Sequence, residues 1–188
     1  MATITTPVIA AATVSKNKAL AQGKSNIEQP HIFRHYFGAI WVVIVNKTQF
    51  PLHSVHEGGD LEHGMYFGGP PASVDPWDAA GFGLVGNTYW GVGYRPQGGT
   101  PFALQLDEQH KFEFTVGLST ALIGSYFASV VAGINRKEAV KQLSGGGFYS
   151  LTFEGPDSGN KQHNVKFSLS ADVSAGASVK IAITQDPR

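Results

Sequence analysis

Residues 111–143 constrain the fold more than any other part of the sequence. Apolar and polar residues alternate over 111–116, which is the period of a strand with one buried face. A turn is predicted at residues 117–120, and the long uncharged run over 121–132 predicts a second strand. The stretch therefore begins as a pair of neighbouring strands.

A short helix is predicted directly after this strand pair. Asn135 is a suitable N-cap, and Glu138 lies in the first turn, where a negative charge is favourable. The helix over 136–143 is expected to end where Ser144 and three consecutive glycines follow. Two strands leading into one short helix on the side of a sheet are unusual in a chain whose other segments resemble strands.

The composition indicates one mainly β domain. The chain has 188 residues, of which 42% are hydrophobic and 15% charged, with 23 glycines and 10 prolines. Such a composition favours short strands and tight turns over helices. We predict an antiparallel β-sandwich of about ten strands with one or two short helices. Residues 39–188 form this domain, and residues 1–38 form an N-terminal arm or amphipathic helix with a connector.

The other predicted strands are short, except for a continuous β-branched run at 39–45. That run should be covered on both faces at the centre of the sandwich. A long loop over 70–80 and a turn over 96–101 separate some of the strands. The remaining predicted strands are 52–56, 64–67, 81–85, 89–94, 102–106, 149–154, 165–169 and 179–184.

Charge and cysteine content exclude several classes of function. The formal net charge is zero, so no basic field attracts nucleic acid or anionic lipid. The chain has no cysteine, which removes disulfides and thiolate chemistry and leaves the compartment undecided. It also lacks a window of roughly twenty apolar residues. We expect a water-soluble protein whose partners are neutral or zwitterionic.

The opening segment, residues 1–25, lacks the basic start of a signal peptide. Thr6 as N-cap and Gly23 as stop predict a mildly amphipathic helix between them. A disordered tail is the alternative. If the helix detaches and enters a membrane, the apolar residues that would insert are Pro7, Val8, Ile9, Val14 and Leu20.

Two motifs could indicate a nucleotide site or a metal site, but their sequence context favours a structural role for each. Gly81, Gly83 and Gly86 spell a dinucleotide-binding pattern, but a strand and not a helix is predicted after them. Histidines and carboxylates cluster over 53–63 without the spacing of known zinc motifs, so a solvated hairpin tip is favoured. The sequence shows no recognisable catalytic triad and no pair of catalytic carboxylates. We expect no enzyme activity, no metal and no cofactor, and we give the glycosylation match at Asn46 little weight.

The aromatic residues outside the predicted core give the most information about function. Several lie among glycines and prolines, where a packed core is difficult to build, so some should be exposed. Exposed rings with a polar edge suit stacking on a sugar or anchoring at a bilayer interface. Core packing is the alternative. The residues concerned are Trp77, Tyr89, Trp90, Tyr94, Tyr126 and Phe127.

The order of elements over 39–184 resembles the actinoporin-like family, the sea-anemone cytolysins and their moss, fungal and plant relatives. The matching segments are 43–48, 91–94, 112–116, 136–143, and 174–177 leading into 179–184. The resemblance implies a soluble monomer that binds a lipid head group, oligomerises on membranes and inserts its N-terminal helix. It places Trp90, Thr115 and Tyr126 near the head-group site, with Trp77 and Phe127 as interfacial anchors.

Two functional hypotheses follow. The first is a pore-forming cytolysin, a defensive or insecticidal toxin whose partners are membrane lipids and other copies of itself. The second is a non-lytic, lectin-like module in which Trp77 or Trp90 stacks on a sugar. In that case Asp75, Asp78, Asn87 or Gln97 would bind the sugar hydroxyls.

Overall fold

The computed structural model is a two-layer β-sandwich. It describes residues 27–32, 36, 38–55, 61–89, 92–106, 111–120, 125–156, 162–174 and 178–187. The predicted opening helix lies outside these ranges. The mainly β sandwich with one short helix confirms the predicted fold class.

Thirteen strands and one helix are formed by the described residues. The helix, α1, spans Arg136–Lys141. The strands are β1 (Ile40–Lys47), β2 (Leu52–Ser54), β3 (Met65–Phe67), β4 (Ser73–Val74), β5 (Ala79–Val85), β6 (Asn87–Tyr89), β7 (Val92–Tyr94), β8 (Gln97–Gln105), β9 (Lys111–Thr120), β10 (Tyr126–Ala132), β11 (Gly146–Pro156), β12 (Gln162–Ser174) and β13 (Ser178–Pro187).

The strands form two large sheets and a small hairpin. The first sheet has the order β11-β12-β13-β1-β5-β3, and the second has the order β10-β9-β8-β2-β4. Among the described strands, β6 and β7 pair only with each other. All strand pairs of the described residues are antiparallel except β1 with β13, which run parallel from Trp41 beside Ser178 to Lys47 beside Thr184. The first sheet is therefore mixed.

β1 lies at the centre of the first sheet and is buried on both faces, as predicted for residues 39–45. Ile40, Val42 and Ile44 point into the core between the sheets. Trp41 and its neighbours on the opposite face pack against Ile27, and the Trp41 Nε1 donates a hydrogen bond to the Ile27 carbonyl at 3.3 Å. A continuous apolar run suits a strand that has no solvated face.

The core also contains a polar link between the two layers. The Tyr66 hydroxyl on β3 and the Thr100 hydroxyl on β8 are hydrogen-bonded at 3.0 Å. Burial raises the pKa of Tyr66, so the phenol stays protonated well beyond neutral pH. The link provides both hydroxyls with a hydrogen-bond partner between the two sheets.

α1 lies on the outer face of the second sheet, and glycines in the strands allow it to approach. A Cβ added at Gly117 would lie 2.4 Å from the Ala139 carbonyl oxygen, and one added at Gly99 would lie 2.8 Å from the Cα of Arg136. Asn135 caps α1 by accepting a hydrogen bond from the Glu138 N–H at 3.1 Å, as predicted. The turn predicted at 117–120 is wrong, because Gly117 serves packing within β9.

Two further predictions at strand ends are wrong. The turn at 96–101 is the first half of β8. Pro101 is tolerated there because its carbonyl accepts from Val55 just past the end of β2, so its nitrogen faces that side and not the β9 ladder. The single strand at 89–94 is instead the hairpin of β6 and β7. The described chain contains no helix of the length and apolarity that crossing a bilayer requires.

We predict that Gly117→Ala destabilises the fold by about 1–3 kcal/mol, the usual cost of forcing an extra carbon into a packed site. The new methyl group would collide with the Ala139 carbonyl and the Ser129 hydroxyl, so α1 would have to move. Gly145→Ala is the matched control, because a Cβ there meets nothing within 4 Å. Urea unfolding midpoints measure the difference, and equal midpoints for the two variants would contradict the packing account.

Candidate ligand-binding site

Trp77 occupies the third position of a tight turn, Asp75–Pro76–Trp77–Asp78. The Asp78 N–H donates to the Asp75 carbonyl at 3.2 Å, and Trp77 has φ 62°. Proline in the second position and a positive φ in the third are the signature of a type II turn, where glycine is the favoured third residue. A left-handed backbone costs an L-residue about 1–2 kcal/mol. Such strain at a bulky residue points to a use for its ring.

The buried amide of Asn46 fixes this turn. Its Nδ2 donates to the carbonyls of Phe50 at 2.7 Å, Val74 at 3.2 Å and Asp75 at 3.1 Å. Its Oδ1 accepts from the backbone N–H and the hydroxyl of Thr48. The side chain is fully buried, so these bonds are shielded from water. One residue at the end of β1 therefore holds the 48–50 loop and the turn together.

Backbone hydrogen bonds complete the frame around Trp77. The Asn46 N–H donates to the Asp78 carbonyl at 2.8 Å, and the Trp77 N–H donates to the Thr48 carbonyl at 3.2 Å. The same burial and bonding leave no room for a glycan on Asn46 in the folded protein, which agrees with the little weight given to the glycosylation match.

The turn carries Trp77 between two aspartates, Asp75 and Asp78. Asp75 and Pro76 are exposed, and Trp77 is partly buried. The Asp78 carboxylate accepts from the Ala79 N–H at 2.8 Å, which orients it within the turn. An indole next to acceptor oxygens suits the C–H face and hydroxyls of a sugar, or a quaternary ammonium group. It does not suit an anion.

Tyr126 and Phe127 lie at the opposite end of the sandwich from Trp77. They begin β10, where Tyr126 pairs with Thr120 and Phe127 with Ser119. A Cβ added at Gly38, just before β1, would lie 3.6 Å from the Thr120 hydroxyl. The Trp77 turn contacts Thr48, just after β1, and the eight residues of β1 span about 26 Å. These rings therefore do not converge with Trp77 on one site.

Tyr126 and Phe127 also face opposite sides of the second sheet, because they are consecutive in β10. Tyr126 packs against the core, and Phe127 lies on the outer face, the face that carries α1. Both are partly buried. Only Phe127 of the two belongs to the outer surface of the sheet.

Thr115 has a structural role. It is fully buried, and its hydroxyl donates to the Gly133 carbonyl at 2.7 Å and accepts from the Asn135 N–H at 3.0 Å. These two bonds build the turn that leads into α1. Head-group contact by Thr115 stays a prediction. Trp90 lies outside the described residues, as do the insertion candidates Pro7, Val8, Ile9, Val14 and Leu20.

The nucleotide-like glycine pattern lies in and directly after β5, a strand. Gly81 is required there by packing, since a Cβ would lie 2.4 Å from the Trp41 ring. Within the described part of the chain, no three histidine or acidic side chains come close enough to hold a metal ion. Several members of the 53–63 cluster, including His56 and Glu57, lie outside that part.

Sequence reasoning missed the residue that organises the site. Asn46 stands at a strand end, two residues before a threonine and five before a proline, which is a typical context for a side chain that bonds the local backbone. The same reasoning took this residue only as a glycosylation match. Two of its hydrogen-bond partners, Val74 and Asp75, lie 28 and 29 positions further along the chain.

No family model matches the chain, and no curated protein matches it. Among solved structures, the lipid-binding protein Nakanori is 9% identical, with a TM-score of 0.45, over 93% of this chain and 79% of its own. The lectin XCL of Xerocomus chrysenteron is 10% identical, with a TM-score of 0.38, over 79% of this chain and 99% of its own. These similarities are too distant to assign a ligand, and membership of the actinoporin-like family stays a prediction.

We predict that Trp77→Gly is more stable than Trp77→Ala by about 1 kcal/mol, because glycine adopts a positive φ without the Cβ penalty. Both variants lose the same indole contacts, so the comparison isolates the backbone strain. Urea unfolding at pH 7 measures it. If Trp77→Ala is equally stable or more stable, the turn is not strained in the way its φ indicates.

Proposed function

We propose that the protein is a non-enzymatic binding protein that recognises an uncharged or zwitterionic group on a membrane surface. The ligand is the head group of a lipid or the glycan of a glycolipid. The observation that carries the proposal is the strained Trp77 turn, which the buried Asn46 amide holds rigid beside two carboxylates. Rigid presentation lowers the entropy cost of binding.

The chemistry of the turn favours these ligands over anionic ones. The ring face attracts a quaternary ammonium group or the C–H face of a sugar, which contributes about 0.5–2 kcal/mol depending on how well the contact is desolvated. The Asp75 and Asp78 carboxylates reinforce a cation or accept hydroxyl hydrogen bonds. They repel phosphate-rich and other anionic surfaces locally, and the chain, with zero net charge, has no basic field to offset this.

Pore formation is the second candidate. β1 already pairs with β13 on one side and with β5 on the other, so its edges are not open to the segment that precedes it. The described strands all begin at Ile40 or later, and the connector is tied to the sheet at Ile27 through Trp41. In this proposal residues 1–25 insert their apolar face into lipid, and several copies assemble around the pore.

Binding and lysis are separated by one set of vesicle experiments. The probes are phosphatidylcholine vesicles with and without a neutral glycosphingolipid, loaded with a self-quenching dye. We expect the intact protein to pellet with at least one composition and Trp77→Ala to bind about ten-fold more weakly, the equivalent of about 1.4 kcal/mol. Trp77→Phe, which keeps a ring, should lose less.

A chain that lacks residues 1–25 should pellet as the intact protein does but release no dye. Unchanged pelleting of Trp77→Ala would contradict binding through the turn. Dye release by the shortened chain, or no release by the intact one from any composition, would contradict pore formation and leave the binding proposal standing.

A further inference from the structure

A second polar and aromatic surface lies at the other end of the sandwich. Phe127, Ser119 and Gln97 are direct neighbours across β10, β9 and β8 on the outer face of the second sheet. Adjacent strands are about 4.8 Å apart, so the backbones at the two ends of this row are separated by about 10 Å. That span accommodates one sugar ring with its substituents.

The row and the side of α1 next to it form the surface that we call the groove. On one side the neighbouring residues along the strands are Ser129, Gly117 and Gly99, over which α1 passes. The chain leaving α1 returns to β10, where the Ala128 N–H donates to the Ser144 carbonyl at 2.9 Å. These elements form one wall of the groove.

The other end of the row is closed by the segment before β3. His63 pairs with Gln97 through two backbone hydrogen bonds, at 3.1 and 3.0 Å, and this pairing places Glu62 beside the row. Glu62 is exposed, Gln97 and Phe127 are partly buried, and Ser119 between them is buried. The groove thus has an aromatic ring at one end and a carboxylate at the other.

A directed hydrogen-bond chain connects the polar groups of the row. The Ser119 hydroxyl lies 3.3 Å from Gln97 Oε1 and 3.4 Å from the Thr120 carbonyl and shares its one proton between them, and Gln97 Nε2 donates to Glu62 Oε2 at 2.9 Å. The chain orients the Gln97 amide with its nitrogen toward the carboxylate. A carboxylate accepts several hydrogen bonds, and an amide nitrogen has a second N–H to donate. The row is therefore a preoriented set of acceptors and one donor.

We propose that this groove, formed by Phe127, Ser119, Gln97 and Glu62, binds a neutral saccharide. The Phe127 ring contacts the apolar face of a sugar ring, and the Gln97 and Glu62 side chains bind its hydroxyls. The four side chains carry one negative charge, and Arg136 lies at the start of α1 beside Gly99. Binding in the groove does not depend on the Trp77 turn.

The position of the groove has a consequence that does rest on the proposed function. The groove lies on the second sheet, at the end of the sandwich opposite the Trp77 turn, and the length of β1, about 26 Å, approximates the distance between the two ends, so one molecule can engage two ligands at once. A chain with both sites joins two surfaces and acts as a monomeric cross-linker of vesicles or cells.

The groove is tested on a printed panel of neutral oligosaccharides with hexose and N-acetylhexosamine residues. We expect Gln97→Leu and Phe127→Leu each to lower the signal of the bound glycans at least ten-fold. Gln142→Leu is the matched control, because Gln142 donates to Glu138 at 2.7 Å in a similar exposed pair on α1. Free energies of unfolding in urea that lie within about 1 kcal/mol of the wild-type value would show that the variants fold.

Absence of any bound neutral glycan would overturn the proposal, as would equal signals for Gln97→Leu and Gln142→Leu. Trp77→Ala should keep the glycan signal. If Trp77→Ala removes that signal while the groove variants keep it, the turn alone binds sugar and the groove proposal fails.

Cross-linking is measured separately by light scattering of phosphatidylcholine vesicles that carry a neutral glycolipid from the panel. We expect aggregation by the wild type and none by either Trp77→Ala or Gln97→Leu. If the groove variants lose glycan signal but Trp77→Ala still aggregates the vesicles, the groove stands and the proposed function of the turn fails.

Discussion

The buried amide of Asn46 is the interaction on which the functional end of this molecule depends. The residue belongs to the first sheet, yet its Nδ2 donates to the carbonyl of Val74 in the second sheet and to that of Asp75 in the turn. Each buried polar group left without a partner costs about 1–3 kcal/mol, so moving the amide away from these carbonyls would destabilise the fold. The same bonds that join the two layers offset the backbone strain at Trp77.

Trp77 and Phe127, at the two ends of the sandwich, are positioned by different kinds of local structure. At one end a side-chain amide holds a short turn in an unfavourable conformation, and the indole is presented beside carboxylates. At the other end glycines in β8 and β9 let α1 lie against the sheet, and the strands themselves position Phe127 beside Ser119 and Gln97. Both surfaces rest on regular, hydrogen-bonded structure, which favours recognition with little rearrangement.

Local patterns predicted the elements well where a single physical signal dominated. The continuous β-branched run before residue 46 favoured a strand covered on both faces, and the Asn135 cap marked the start of α1 correctly. Gly117 and Pro101 were misleading, because each also signals a turn. Gly117 is needed for close packing of α1, and the nitrogen of Pro101 faces away from the β9 ladder. Neither reason is visible without the neighbouring elements.

The arrangement of the candidate site was beyond local reasoning. Trp77 follows a proline in a turn and Phe127 begins a strand, and the order of strands in the two sheets places them at opposite ends of the sandwich. The parallel pairing of β1 with β13 joins segments more than a hundred residues apart and has no local signature. Trp77 was correctly singled out by its ring, whereas the amide that fixes it was found only in three dimensions.

The most direct test is an NMR titration that follows the indole N–H signals of the intact protein as neutral vesicle-mimicking lipid discs are added. Trp41 is an internal reference, because its buried indole donates to the Ile27 carbonyl, and a Trp90→Phe variant assigns the third signal. The account predicts that the Trp77 signal shifts or broadens to saturation while the Trp41 signal stays unchanged. A shift confined to Trp90, or no change at Trp77 with any lipid or glycolipid, would contradict it.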